Sequence, residues 1–285
     1  MIARIAAALL GWLSLASPVA APAMLAPALW VAHDADTTIW LFGTVHQLRP
    51  GTPWLNSAVA DAFAGSDTLV LEIVAPTPDE MADAVVQATP PRPAPLPPEL
   101  DRRLRMRAAE LGFPRNAFDA TAPWFAATVL AARPLARAGY RTDPAPETLL
   151  ATLAERSDKP ITAFETLGQQ LGIFAALPQR AQRTMLERTL AERDPVPAMD
   201  RVVATWGKGD VPALDRLLSD DMAKAGPAIR TALLDRRNAA WAGTIAKWMR
   251  QPGTKFVAVG AGHLTGPGSV QARLQARGVQ VTRVQ

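Results

Sequence analysis

Short apolar runs alternate with stretches of helical spacing along this chain. Leu29 to His33 and Thr37 to Phe42 flank Asp34-Ala35-Asp36 and predict a hairpin with an acidic turn. Thr68 to Val74 (TLVLEIV), Pro160 to Phe164, Phe256 to Val259 and Val279 to Val284 read as further strands. Helical spacing runs from Pro53 and Trp54 to Ala64, closed by Gly65, and from Thr77 to Gln87. It resumes from Pro98 to Ser157, with breaks at Gly112, Pro114, Pro123, Pro134, Gly139 and Asp143 to Pro146. Later helices follow Thr166, then span Gln179 to Glu192, Val196 to Trp206, Ile229 to Met249 and Pro267 to Ala276. Strands alternating with helices predict an α/β fold. The expected form is a central mixed, partly parallel sheet flanked by helices, with a mostly helical insertion over about 75–159 between early and late strands.

Two segments stand apart from this alternation. Residues 1–23 carry one early charge, Arg4, an apolar run from Ile5 to Ala16, and small residues at Val19-x-Ala21 and Ala21-x-Ala23. That is the pattern of a secretory signal peptide, too short for a membrane span. It places a single mature domain, 24–285, in the periplasm or outside the cell, with no stable membrane span after signal removal. Thr89 to Glu99 (TPPRPAPLPPE) is proline-rich and reads as an extended loop, a lid or a spacer.

Composition narrows the chemistry. There are no cysteines, which excludes disulfides, thiolate metal sites and a cysteine nucleophile. A net charge of +4 on 20 % charged residues is too diffuse to argue nucleic acid. The densest basic run, Arg102, Arg103, Arg105 and Arg107, wraps around a helix and reads as a solvated face. H-E-x-x-H, G-x-S-x-G and the phosphate-binding P-loop pattern are absent, and Gly260-x-Gly262 with Gly266 misses a dinucleotide fingerprint by one residue. Nothing in the pattern speaks to self-association.

Candidate chemistry gathers at strand ends. TTIWLFGTVH and KFVAVGAGH both end an apolar strand in G-x-x-H, and the histidines, His46 and His263, are two of only 3 in the chain. The third, His33, lies beside the acidic turn and reads as a surface residue. Glycine lets a chain leave a strand at unusual dihedrals and lets other groups come close. In α/β sheets, ligands collect at the carboxyl edge. Glu72 and Glu165 end two other strands, and a carboxylate in so apolar a setting is costly unless paired or bound. Two imidazoles and one or two carboxylates suit a divalent metal such as zinc, manganese, cobalt or iron(II), and a spare carboxylate could serve as general base on activated water. On the helix from Ile229 to Met249, Leu233, Leu234, Trp241, Ile245 and Trp248 form one apolar stripe. Arg237 falls inside it, Arg230 nearer its start and Asn238 at its border. A buried arginine wants an anionic partner.

The order G-T-V-H, L-V-L-E, F-E-T-L-G-Q-Q-L, R-R-N-A-A-W and G-A-G-H-L-T-G-P-G-S-V resembles the TraB/GumN family, whose superfamily includes the Tiki metalloproteases that cleave Wnt ligands. The resemblance implies an α/β fold related to erythromycin esterase and haem-binding ChaN proteins. It also implies a divalent metal on His46 and His263, with the family's glutamates falling on Glu72 and Glu165 and its helical R-N on Arg237 and Asn238. Animal Tiki proteins carry a membrane tether, whereas this chain ends at VTRVQ, so the Wnt substrate is not carried over. The resulting expectation is a secreted or periplasmic metal-dependent hydrolase acting on a peptide or protein substrate. His46, His263 and at least one glutamate would hold the metal, the other glutamate would act as base, and Arg237 or Asn238 would stabilise the oxyanion. The alternative is a non-catalytic binder of haem, metal or a peptide signal on the same scaffold.

Overall fold

A strand of four consecutive buried apolar residues, Phe256 to Val259, needs cover on both faces, and the fold is arranged to give it. The computed structural model describes residues 23–89 and 94–285; residues 1–22 of the expected signal peptide and part of the proline-rich loop lie outside them. The hairpin forms as expected from β1 (Leu29–His33) and β2 (Thr37–Thr44), with Asp34 Oδ1 accepting the Thr37 N–H at 2.9 Å across the turn. His33 is exposed at its end. Next come α1 (Ser57–Ala64), β3 (Thr68–Leu71) and the helical insertion, made of α2 (Pro78–Ala88), α3 (Pro98–Glu110), α4 (Pro123–Arg137) and α5 (Pro146–Arg156). Beyond β4 (Ile161–Ala163) a second helical run holds α6 (Leu167–Ala175), α7 (Gln179–Ala191), α8 (Val196–Gly207), α9 (Val211–Ala225), α10 (Pro227–Arg230), a π-helical turn (Thr231–Asp235) and α11 (Arg236–Trp248). The chain closes with β5 (Gly253–Gly260), a 3-10 turn (Ala261–Leu264), α12 (Val270–Gln275) and β6 (Thr282–Arg283).

The sheet runs in the order β4-β3-β5-β2-β1-β6. The pairs β4–β3, β3–β5 and β5–β2 are parallel, and β1 is antiparallel to both its neighbours. Side-chain alternation divides the central strands into two cores. Phe42, Leu69, Leu71, Phe256 and Ala258 pack under α1 and α5 with Trp54, Leu150 and Trp206. On the other face Ile39, Leu41, Val70, Val257 and Val259 pack against Trp241 and Ile245 of α11 and Val270 and Leu274 of α12. Leu100, Leu104, Leu130 and Leu186 build a separate helical core from α3, α4 and α7.

Several boundaries differ from the sequence pattern for local reasons. The first helix starts at Ser57 rather than Pro53, because Asn56 caps it by accepting the Val59 N–H at 3.1 Å. α4 continues through Pro134, which sits in its last turn, and ends three residues later at Arg137. The strand expected over 279–284 shrinks to two residues, since Val279 and Val281 pack into the core beneath instead of joining the ladder. α9 went unmarked in the pattern, although Asp210 caps it and Pro212 follows in its first turn. Arg102, Arg105 and Arg107 pair with Glu99, Asp101 and Glu110, as a solvated face would.

Phe42 sits at the meeting point of the first core, with ring centroids 5.6 Å from Trp54 and 5.9 Å from Phe256. Phe42→Ala should lower stability by about 3–5 kcal/mol, seen in urea unfolding as a lower midpoint at unchanged slope. A loss below about 1 kcal/mol would show that this core re-collapses around the gap.

Candidate functional site

Register places the site. Thr44 of β2 lies opposite Gly260 of β5, and Gly43 opposite Val259, so the two G-x-x-H turns leave the same sheet edge side by side, one residue out of step. A β-carbon on Gly43 would stand 3.2 Å from both Cα and Cβ of Ala261, so glycine is what lets the turns touch. Trp206 donates its indole N–H to the Gly43 carbonyl at 2.7 Å beneath them. β3 ends at Leu71, opposite Ala258, and delivers Glu72 beside Gly260, whose N–H donates to Glu72 Oε1 at 2.7 Å. Pairing continues past β4, where the Glu165 N–H donates to the Glu72 carbonyl at 2.9 Å. The second carboxylate is thereby set beside the first.

Arg237, on the buried face of α11, joins the two. Its Nε and Nη2 donate to Glu165 at 2.8 and 2.9 Å, Nη2 also reaches Glu72 Oε2 at 2.5 Å, and Nη1 caps the Leu233 carbonyl at 3.1 Å. Nη1 also lies 3.0 Å from His263 Nε2. Because arginine only donates, Nε2 must accept, and the His263 proton therefore sits on Nδ1 and points to Asn238 Oδ1 at 2.5 Å. Asn238 is held in turn by its Nδ2 donating to the Gly268 carbonyl at 2.9 Å. Burial, with Arg237 adjacent, pushes His263 down to about 4 and keeps the imidazole neutral at pH 7. Burial also favours a neutral Glu72. The positive charges around it and the Gly260 N–H outweigh this and hold it down to about 2. With His263 neutral, the buried cation that secures Glu72 at pH 7 is Arg237. Trp241 closes the floor, with the guanidinium 4.6 Å and the His263 ring 4.4 Å from its ring.

His46 forms the open side, its side chain 68 % exposed. Nδ1 lies 2.7 Å from Glu147 Oε1, and the same carboxylate oxygen accepts from the Thr44 hydroxyl. Desolvation works against protonation of an imidazole here, but the contact with Glu147 and the nearby charge of Glu72 raise its pKa above the ordinary value. The far nitrogen, Nε2, turns inward: a β-carbon on Gly260 would be 3.1 Å from both His46 Nε2 and Glu72 Oε1.

All six residues expected from the sequence, His46, Glu72, Glu165, Arg237, Asn238 and His263, thus share one edge of the sheet. Glu147, Thr44 and Gln170, whose Nε2 donates to Glu72 Oε2 at 3.2 Å, were not foreseen. Glu147 lies in the first turn of α5 behind a proline-rich break, and only its acidic character in the insertion could have marked it. Among the described residues no three His, Asp or Glu side chains stand as a group that could hold a metal ion. Arg237 occupies the lone pair of His263 and the outer oxygen of Glu72. The donor chemistry nonetheless fits a divalent cation, since each imidazole has Nδ1 fixed on an oxygen acceptor and directs Nε2 into the site, the arrangement that prepares histidine for a metal.

The sequence pattern of the TraB/PrgY/gumN family matches residues 28–283, the stretch that contains the whole sheet and every residue of the site. The chain belongs to this family. A TraB/PrgY/gumN assignment agrees with the order of motifs along the strands. Two curated relatives, each named uncharacterized protein YbaP, come from Escherichia coli (strain K12) and Shigella flexneri. Each is 22 % identical over 258 residues, covering 87 % of this chain and 92 % of YbaP. No solved structure matches the chain.

Removing Arg237 would strand two carboxylates in a setting where Glu72 is only 6 % exposed. Arg237→Met should cost about 3–5 kcal/mol in chemical denaturation, and adding Glu72→Gln and Glu165→Gln should restore part of it. A stability unchanged by Arg237→Met would refute the pairing role.

Proposed function

We propose that this protein is a divalent-metal-dependent hydrolase, acting on peptide bonds in the periplasm or outside the cell. The observation that carries the proposal is the pair of imidazoles from neighbouring G-x-x-H turns, each oriented through Nδ1, converging with Glu72 around Gly260. Resemblance of the twin turns to those of Tiki metalloproteases supports the peptide bond as target, and the secretory pattern of residues 1–23 supports the compartment. No helix among the described residues is long and apolar enough to cross a membrane.

His46, His263 and Glu72 would hold the cation. When bound, such an ion polarises a carbonyl and brings the pKa of water towards neutrality. His263 and Glu72 are already in the neutral and ionised forms that ligation requires, His46 would give up the proton that Glu147 and Glu72 hold on it, and Asn238 and Glu147 keep both rings from turning. Glu72 is buried, whereas Glu165 lines two cavities, of about 580 and 840 Å³, that open on either side of α6. Glu165 is therefore the carboxylate that meets substrate and takes the proton from the attacking water. Arg237 lines the larger cavity as well, so that the guanidinium paired with Glu72 and Glu165 would also face the oxyanion of the tetrahedral intermediate.

A second reading has one observation in its favour. The Arg237–His263 contact satisfies the inner imidazole nitrogen without a cation, which suits the non-catalytic alternative, a binder of metal, haem or a peptide signal. Titration of manganese, cobalt, zinc and iron(II) into the purified protein, beside His46→Ala, His263→Ala and Glu165→Gln, separates the two. The hydrolase reading expects both histidine variants, still folded, to lose the cation. Glu165→Gln should retain the cation while hydrolysis of a fluorogenic peptide mixture falls by about 10²–10⁴. Cation retention with no turnover in the wild type supports the binder, and a wild type that takes up none of the four ions rules out the metal mechanism.

A further inference from the structure

α6 reads LGQQLGIFA, an apolar sequence, yet none of its residues is fully buried. A helix of that composition ordinarily buries a face. Leu171, Phe174 and Ala175 pack against the cluster around Trp124, while the side bearing Gly172 and Ala176 looks across an open groove of about 840 Å³ towards Ala228 and Ala232, with Ala240 further along. Gly172, Ala176, Ala228 and Ala232 leave the space between the helices unfilled, Ile173 and Leu177 add apolar surface to it, and its volume suits an extended ligand of several residues. Glu165 and Arg237 are among its lining residues, so what lies in the groove can reach the carboxylate edge of the site.

Three polar features select the occupant. Arg236 lines the groove, is exposed, and makes no hydrogen bond or ion pair among the described residues, whereas Arg237 next to it is fully engaged. A free guanidinium matches a carboxylate in charge and in planar geometry. Thr231 and Gln169 add a hydroxyl and an amide to the walls, partners for peptide N–H and C=O groups that a hydrocarbon chain lacks.

We infer that this groove holds the apolar, carboxyl-terminal end of a peptide, with its α-carboxylate on Arg236 and the preceding chain leading to Glu165. The choice of a peptide rests on the hydrolase reading above, but the binding itself does not depend on turnover. The test is calorimetry on the full chain treated with EDTA, using N-acetyl-Ala-Ala-Leu as free acid, the same peptide as C-terminal amide, and decanoate. The acid should bind at least about tenfold more tightly than the amide, a ratio worth about 1.4 kcal/mol. Arg236→Gln should abolish that ratio. Ala232→Trp, checked by circular dichroism and melting, should weaken the acid at least about tenfold by filling the groove; Ala240→Phe serves the same purpose at a more exposed position should Ala232→Trp not fold. Equal binding of acid and amide, binding of the acid unaffected by a filled groove, no binding of the acid at millimolar concentration, or binding of decanoate in preference to it would each overturn the inference. Acid-selective binding without any hydrolysis would leave it standing and remove the hydrolase reading instead.

Discussion

The arginine between Glu72 and Glu165 is the constraint on which the rest of the site depends. Two carboxylates brought together at the end of adjacent parallel strands repel, and burial makes each ionised form more costly. Arg237 answers both, with three nitrogens spread over two carboxylates, a helix carbonyl and an imidazole. Its contact with His263 fixes more than charge. By claiming Nε2 it forces the proton to Nδ1, and Asn238, the next residue on α11, is there to accept it. Two consecutive helical residues therefore set the position and the tautomer of a histidine that belongs to a different element.

A network of this kind requires the strand ends to be fixed to within a fraction of an ångström, and parallel pairing supplies that. The ladders β4–β3–β5–β2 run in one direction, so their carboxyl ends share an edge, and one-residue offsets decide which side chain faces which. Had β3 slipped by one residue against β5, Glu72 would lie on the opposite face and the Gly260 N–H would lose its acceptor. The apolar cores on both faces prevent the slip, because the same shift would expose Leu69, Val70 and Leu71 to the wrong layers. Core packing and site geometry are thus two consequences of one register.

Much of this was legible in the chain itself. Twin G-x-x-H turns after apolar strands marked the sheet edge, and isolated acids at Glu72 and Glu165 marked its neighbours, since each combination is costly unless the residues meet. The stripe that admitted Arg237 marked a buried cation. What could not be read depends on long-range packing. Glu147 sits in the first turn of a helix 101 residues from its partner His46, and nothing local distinguishes it from Asp79 or Glu80 in the first turn of α2. That Arg237 would take the place between the carboxylates, rather than stand beside a metal, is likewise a matter of which groups the register brings within reach. The proline-rich residues 90–93 lie outside the described structure, and the composition of that loop gave only its extended character.

A π-helical turn at Thr231–Asp235 interrupts the helical stripe. Counting 100° per residue from Ile229 to Met249 puts Leu233 and Leu234 on the same face as Trp241 and Ile245. In the folded chain Leu233 and Leu234 are only half-buried, while Arg237, Asn238, Trp241 and Ile245 are buried. A π turn accommodates an extra residue and rotates everything after it relative to everything before. Ala228 before the turn and Arg236 and Ala240 after it line one groove, and Asn238 is buried against His263. Such turns cost hydrogen-bond geometry, and they persist where the rotation is needed. Here residues on both sides of the turn line the groove, while Arg237 and Asn238 after it hold the charged centre of the site.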